Sequence, residues 1–272
     1  MPELPEVETI VRELKAALPG RCVLGVRVFR PDALGGVPVA HFRASLRGEC
    51  FAGVERRGKF LVFRLTSGRF LVGHLRMTGK FALVSRPARP APHHRVWFEL
   101  DDGSLLVFQD LRCFGTLALA ERLEDYPPLA RLGMEPFSRR FTASWLAGAL
   151  AASRTPLKHW LMDQGRIAGL GNIYAAEILF AAHLSPLRPS AEVTGTEAAR
   201  LHRAVRRVLR AAIGKNGTTI SDFRRVDEKR GEFQDFLRVY GKTGEPCPVC
   251  RTPIARIRQQ QRSSFYCPTC QR

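Results

Sequence analysis

Apolar residues Val7, Ile10, Val11, Leu14 and Leu18 recur three, four and seven positions apart, so residues 5–18 are predicted to form an amphipathic helix. Pro19-Gly20 ends it. From residue 21 to 120 the pattern shortens. Apolar or alternating runs at 22–29, 59–65, 69–75, 80–84, 96–100, 104–109 and 116–119 predict strands, with hairpin turns at Ser67-Gly68 and Asp102-Gly103. One helix followed by many short strands implies a β-sandwich or barrel-like first domain. Residues 85–94 (SRPARPAPHH) form a basic, proline-rich loop, and Tyr126-Pro127-Pro128 closes the β-rich part. The Ala- and Leu-rich segments 141–151, 156–162, 173–182 and 196–213 then predict helices, the last ended by Lys215-Asn216-Gly217-Thr218. Residues 221–243 are charged and aperiodic and are expected to form a mobile loop. The chain shows no internal repeat.

Charge changes the picture next. Lys+Arg 43 against Asp+Glu 25 gives a formal charge of +18, spread along the chain rather than held in a tail. A basic face on a folded body follows, for a polyanion: nucleic acid before an anionic membrane. No apolar run approaches the roughly 18 residues of a membrane span, and the N-terminus does not read as a signal peptide. Of the seven cysteines, four cluster at the C-terminus, while Cys22, Cys50 and Cys113 are scattered. That distribution suits a reducing cytoplasm better than a disulfide framework.

The clustered cysteines are Cys247, Cys250, Cys267 and Cys270, in the order C-x2-C-x16-C-x2-C. Two CxxC turns facing each other complete a tetrahedron of thiolates with no open position, so one structural zinc ion is expected. Two redox CxxC pairs are the alternative, though neither lies in a βαβ context. Arginines and glutamines between the pairs suit a phosphate-binding finger.

At the other end the chain begins Met1-Pro2-Glu3-Leu4-Pro5-Glu6. Removal of Met1 would leave a proline secondary amine beside a carboxylate. An α-amino group has a pKa of about 8, against roughly 10.4 for lysine, so part of it is neutral and nucleophilic near neutral pH. Attack on an aldehyde-like carbon gives an iminium, an electron sink. The plainer reading is an ordinary second residue leading into a helix.

MPELPEVE at the start, Gly169-Leu170-Gly171-Asn172-Ile173-Tyr174 in the middle and the cysteine hairpin at the end together resemble bacterial formamidopyrimidine-DNA glycosylases over the whole chain. The resemblance implies an α+β multi-domain protein: an N-terminal β-sandwich with flanking helices (1–130), a helix–two-turns–helix domain (131–220), a lesion-capping loop and linker (221–243) and a zinc-finger hairpin (244–272). It also implies a bifunctional DNA glycosylase and abasic-site lyase for base excision repair. Such an enzyme flips oxidised purines (8-oxoguanine, formamidopyrimidines) out of damaged double-stranded DNA. It would act as a monomer in the bacterial cytoplasm, at the nucleoid, with no membrane partner and no catalytic metal or organic cofactor.

By the same resemblance Pro2 is the Schiff-base nucleophile and Glu3 the general acid/base. Lys59, in Arg56-Arg57-Gly58-Lys59-Phe60, assists elimination near the flipped nucleotide, and Arg262 of the finger clamps the phosphates beside the lesion. Met77, Arg112 and Phe114 match residues that fill the gap left by the flipped base, with Arg112 facing the orphaned partner. His93, Arg154 and Asn172 match DNA contacts, and Lys158 is a further phosphate candidate. Asn172 at a helix start could equally be a simple cap. Lys59, Arg154, Lys158, His93 and Arg262 could be solvated surface groups, and Met77 and Phe114 core.

This chain departs from the family pattern in four places, one being Arg95, two residues after His93, where a histidine is frequent. In the other three, Arg76 stands where glycine is usual, Thr78 where serine is frequent, and Cys113 where a second basic residue is frequent. A relative resembling endonuclease VIII, acting on oxidised pyrimidines, usually lacks the Met, Arg, Phe set. A non-enzymatic zinc-ribbon protein binding nucleic acid would explain the charge and cysteines but not the terminus.

Overall fold

The computed structural model describes residues 1–85 and 89–272, so part of the proline-rich loop lies outside the described residues. The chain divides into two compact units: 1–130 with 215–232, and 131–214 with 233–272.

The first unit begins with α1 (Leu4–Ala17), whose buried face is Val7, Ile10, Val11 and Leu14. It continues with β1 (Val23–Val28), α2 (Val39–Leu46), β2 (Phe51–Arg57), β3 (Phe60–Leu65), β4 (Phe70–His74), β5 (Gly79–Ser85), β6 (His94–Leu100), β7 (Ser104–Asp110), β8 (Thr116–Ala120) and the short α3 (Pro127–Ala130). The strands form two antiparallel four-stranded sheets, ordered β1-β6-β7-β5 and β2-β3-β4-β8. Aromatic rings join them. Phe81 of β5 lies 5.2 Å from Phe63 of the other sheet and 5.2 Å from Phe108 on its own. α1 and α2 close the same core with Ile10, Leu14, Phe42 and Leu46.

Three connections pass from one sheet to the other, the first being residues 29–50, which carry α2 between β1 and β2. Residues 75–78 lead from β4 to β5, and residues 111–115 lead from β7 to β8. Met77, Arg112 and Phe114 lie on these two crossovers.

The sequence pattern did not reveal β2 or α2. β2 carries Gly53 and three charged residues and lacks clean alternation. α2 is only eight residues long, and its Pro38 cap supplies no side-chain hydrogen bond. Cys22 and Cys50, expected as separate reduced thiols, are joined in a disulfide, which leaves Cys113 as the free thiol outside the C-terminal cluster.

The second unit holds α4 (Ala143–Ala151), α5 (Leu157–Met162), α6 (Asn172–Ala181), α7 (Gly195–Gly214) and a C-terminal hairpin of β9 (Ala255–Gln259) and β10 (Arg262–Tyr266). Gln164 shapes the turns between α5 and α6. Its amide donates to the carbonyls of Met162 and Leu170, and its carbonyl accepts from the Gly169 N–H. Glu177, buried on α6, accepts the backbone N–H groups of Arg238, Val239 and Tyr240. Burial pushes its pKa up, and those three bonds oppose the rise. Among the described residues no helix is long and apolar enough to cross a membrane.

Phe81 contributes to the packing between the sheets, so Phe81→Ala should cost about 3–5 kcal/mol. Urea denaturation with an unchanged slope and a lower midpoint would register it; a stability loss under about 1 kcal/mol would mean that the sheets do not depend on this ring.

Candidate active site and metal centre

Pro2 is buried at the start of α1. Glu3 is the N-cap, and Glu3 and Glu6 form a reciprocal capping box: each carboxylate accepts the other's backbone N–H. Both are buried, at 3% and 2% exposed. The other oxygen of Glu6 accepts the N–H of Thr218 at 2.7 Å. A Cβ at Gly217 would lie 2.8 Å from that same oxygen, and its φ of +78° favours glycine independently. The carboxylate thus ties the chain's start to residues 217–218.

The segment that follows, expected as a mobile loop, is fastened to the first unit. Glu13 of α1 accepts from the Arg225 guanidinium at 2.6 Å and from the Val226 N–H at 2.7 Å. Lys80 pairs with Glu228 at 2.6 Å, and Phe223 joins the sandwich core. Periodicity could not show this, because the partners lie more than a hundred residues away.

Lys59, 5% exposed, lies in the β2–β3 turn. Arg56 fastens that turn to α1, bonding Glu8 at 3.0 Å and the Gly58 carbonyl at 3.1 Å. Burial lowers the pKa of the Met1 α-amino group, and nearby Lys59 adds to that lowering. Glu3 and Glu6 oppose the shift. His74, at the end of β4, stacks edge-on with Phe60 at 4.5 Å and accepts the Arg76 N–H on Nδ1 at 3.0 Å. Burial first, then Arg76 and Lys59, bring its pKa down to about 3.

Met77 and Phe114 project as exposed apolar side chains, as does Leu111, which the sequence reading did not single out. They are therefore not core residues. The Arg112 guanidinium lies 5.1 Å from the centre of the Phe114 ring. Arg76 and Cys113 are left-handed, with φ of 52° and 57°, although neither is glycine. His93 is exposed and lends its carbonyl to the Asp110 N–H.

In the second unit Arg154 is exposed before α5, and Arg262 is exposed at the start of β10. Gln260 and Gln261 form the two-residue tip of the hairpin, both left-handed at 43° and 60°. Gln260 and Arg262 line a cavity of about 360 Å³ with Thr155, Lys158 and His159. Lys158 is not a solvated surface group. It is 1% exposed and donates to the Ser263 carbonyl at 2.8 Å and the Ser264 hydroxyl at 2.7 Å. Asn172 donates to the same Ser263 carbonyl at 3.1 Å, and Gly171 rather than Asn172 is the helix cap. The Asn172 Oδ1 is buried without a hydrogen-bond partner.

The four C-terminal sulfurs lie within 4.8 Å of one another. N–H groups of Val249 and Cys270 point at the sulfurs of Cys247 and Cys267, both at 3.4 Å. Thiolates crowded this way repel unless a cation sits among them, and the sulfur spacing suits a tetrahedral ion with bonds of about 2.3 Å. Cys247, Cys250, Cys267 and Cys270 therefore hold one structural zinc ion, which supplies folding energy and no open coordination position. The packing around Val239, Ile254, Ala176 and Phe180 depends on the same hairpin.

Zinc removal by a chelator should unfold the hairpin cooperatively and expose Phe265, and returning zinc should restore it. Retention of the β9–β10 amide protection without metal would count against this. His74 gives a second check. Held neutral in the folded chain, it binds a proton in the unfolded chain below about 6.5 and in the folded chain only near 3. Its contribution therefore lowers stability as pH falls through that window and levels off below it. Nitrogen NMR should find the ring neutral at pH 5, and a titration near 6.5 would refute the burial argument.

Residues 1–117 match the formamidopyrimidine-DNA glycosylase N-terminal domain, 132–224 its H2TH domain, and 244–272 a zinc finger found in FPG and IleRS. The formamidopyrimidine-DNA glycosylase of Symbiobacterium thermophilum is 45% identical over 100% of this chain and 89% of its own length. That of Exiguobacterium sibiricum is 44% identical over 100% and 99%. The Thermus thermophilus MutM (FPG) crystal structure has a TM-score of 0.89 at 42% identity, covering 99% of this chain and 98% of its own. A mutant of Lactococcus lactis FPG, crystallised with Fapy-dG-containing DNA, has a TM-score of 0.93 at 31% identity over 100% of both chains. The chain belongs to the formamidopyrimidine-DNA glycosylase family.

Proposed function

We infer that this protein is a base excision repair glycosylase and abasic-site lyase acting on damaged double-stranded DNA, with oxidised purines as its lesions. The observation that carries the reading is the buried N-terminal corner. Pro2, Glu3 and Glu6 stand together there, and Lys59 is close enough to act on the charge of the adjoining Met1 amino group.

In this reading Met1 is removed and Pro2 becomes a secondary amine. Its nitrogen attacks C1′ of the flipped nucleotide as the glycosidic bond breaks, and the base leaves with a proton. Glu3 protonates the ring oxygen as the sugar opens, which leaves an iminium between Pro2 and C1′. The iminium acidifies C2′. Loss of a C2′ proton expels the 3′ phosphate, and a second elimination expels the 5′ phosphate. Lys59, buried on the β2–β3 turn, is suited to carry a proton in these steps. Arg262 holds phosphate charge beside the lesion. Met77 and Phe114 fill the vacated stack, and Arg112 bonds the orphaned base. His93, Arg154 and Asn172 add backbone contacts. The exposure of Met77, Arg112, Phe114, Arg154 and Arg262 supports these assignments. The place of action is the cytoplasm, on chromosomal DNA.

Borohydride trapping tests the proposal. With 8-oxoguanine opposite cytosine, the processed protein should yield a covalent adduct at Pro2, and thymine glycol should yield less. A chain retaining Met1 should bind the lesion yet lose trapping and cleavage by more than about a hundredfold. Normal cleavage by the Met1-retaining chain would exclude Pro2 as nucleophile.

A further inference from the structure

The two crossovers that carry Met77, Arg112 and Phe114 meet at one carboxylate. Asp110, the last residue of β7, is 1% exposed. Its Oδ2 accepts the Gly115 N–H at 2.6 Å. Its Oδ1 accepts the Arg112 N–H at 3.1 Å and the Thr78 hydroxyl proton in a short bond. The Thr78 oxygen in turn accepts the Arg112 N–H at 3.0 Å. One carboxylate therefore closes its own crossover across Arg112 to Gly115 and reaches the other crossover next to Met77. Arg95, also buried, donates to the Asp110 backbone carbonyl at 2.6 Å.

These bonds act against local strain. Arg76 precedes Met77, and Cys113 lies between Arg112 and Phe114. Each is a non-glycine residue in the left-handed region, an arrangement that persists only where surrounding contacts over-determine it. The space behind the loops is also full. A Cβ at Gly79 would come within 2.4 Å of the Leu75 carbonyl oxygen, and one at Gly115 within 2.7 Å of Phe108. The crossovers are packed from below and tied at the carboxylate.

We propose that Asp110 is a positioning residue for opposite-strand recognition, acting through Thr78 as a staple that holds Met77, Arg112 and Phe114 in one insertion-ready arrangement. The inference rests on the reading of those three as void-filling residues. Asp110 touches no reacting atom. Its effect should concentrate where a base must be pushed out of the stack and its partner read. It should be small where the base is already gone, because unstacking costs least there.

The test uses the full-length processed protein and four variants: Asp110→Asn, Thr78→Val, Thr78→Ser and, as a gauge of the three fillers, Met77→Ala/Arg112→Ala/Phe114→Ala. Asparagine at 110 keeps one acceptor of two, valine at 78 severs only the link between crossovers, and serine keeps the hydroxyl. Asp110→Asn and Thr78→Val should slow single-turnover excision of 8-oxoguanine opposite cytosine about tenfold and erode the preference for cytosine over adenine opposite the lesion. Trapping on a preformed abasic site should change by less than about twofold, and Thr78→Ser should behave like the parent. A 2-aminopurine beside the orphaned base should report slower insertion in the same two variants. If the filler variant is impaired but Thr78→Val and Asp110→Asn match the parent, or lose excision and trapping in equal measure, the staple is refuted. If the filler variant itself excises normally, the void-filling reading fails, and the inference with it. Melting temperatures of all variants separate either result from unfolding.

Discussion

The Glu6 carboxylate is the constraint on which the candidate active site depends. It is buried, and an unpaired ion there would be costly. Two backbone donors answer that cost, the Glu3 N–H from its own helix and the Thr218 N–H from far along the chain. The first fixes where α1 begins and so fixes Pro2. The second brings residues 217–218 against that beginning and leaves no room for a side chain at 217. One charge thus sets the position of the amine and of the segment that follows Thr218.

A similar economy runs through the basic side chains. The excess of arginine and lysine reads as a surface for phosphate, yet many of these groups are occupied within the fold. Arg56 holds Glu8, Arg225 holds Glu13 and Lys158 holds the β10 backbone. Such buried or half-buried ties position elements through geometry more than they stabilise the whole chain. Arg112, Arg154 and Arg262 are among the cations left outward, with their charge toward solvent.

Much of the fold was legible in the sequence because its signals are local. The apolar spacing of α1, the turns at Ser67-Gly68 and Asp102-Gly103, and the paired CxxC each carry their own evidence within a few residues. The strands from β3 to β8 are apolar enough to stand out. β2 and α2 are not, since their definition comes from partners: β2 from pairing with β3, α2 from Phe42 and Leu46 meeting the sheet. At the site, the types of residue were readable but their surroundings were not. Nothing in the neighbourhood of Lys158 marks it as an anchor for Ser263. Asp110 looks like an ordinary strand end until Thr78, Arg112 and Gly115 are brought around it. The loop after Thr218 looked solvated because its charges find partners on α1 and β5, which no local window contains.

The placement of Met77 and Phe114 on crossovers, rather than on hairpin tips, has a mechanical meaning. A hairpin tip belongs to one ladder and yields by bending it. A segment that leaves one sheet and enters the other is anchored in both. Pressure applied at its apex is divided between two sets of inter-strand hydrogen bonds and passes into the aromatic contacts that separate them. The same Phe63, Phe81 and Phe108 rings that hold the sheets apart would then bear the recoil when a side chain enters a base stack. Stiffness at the point of contact is in this sense a property of the distant core.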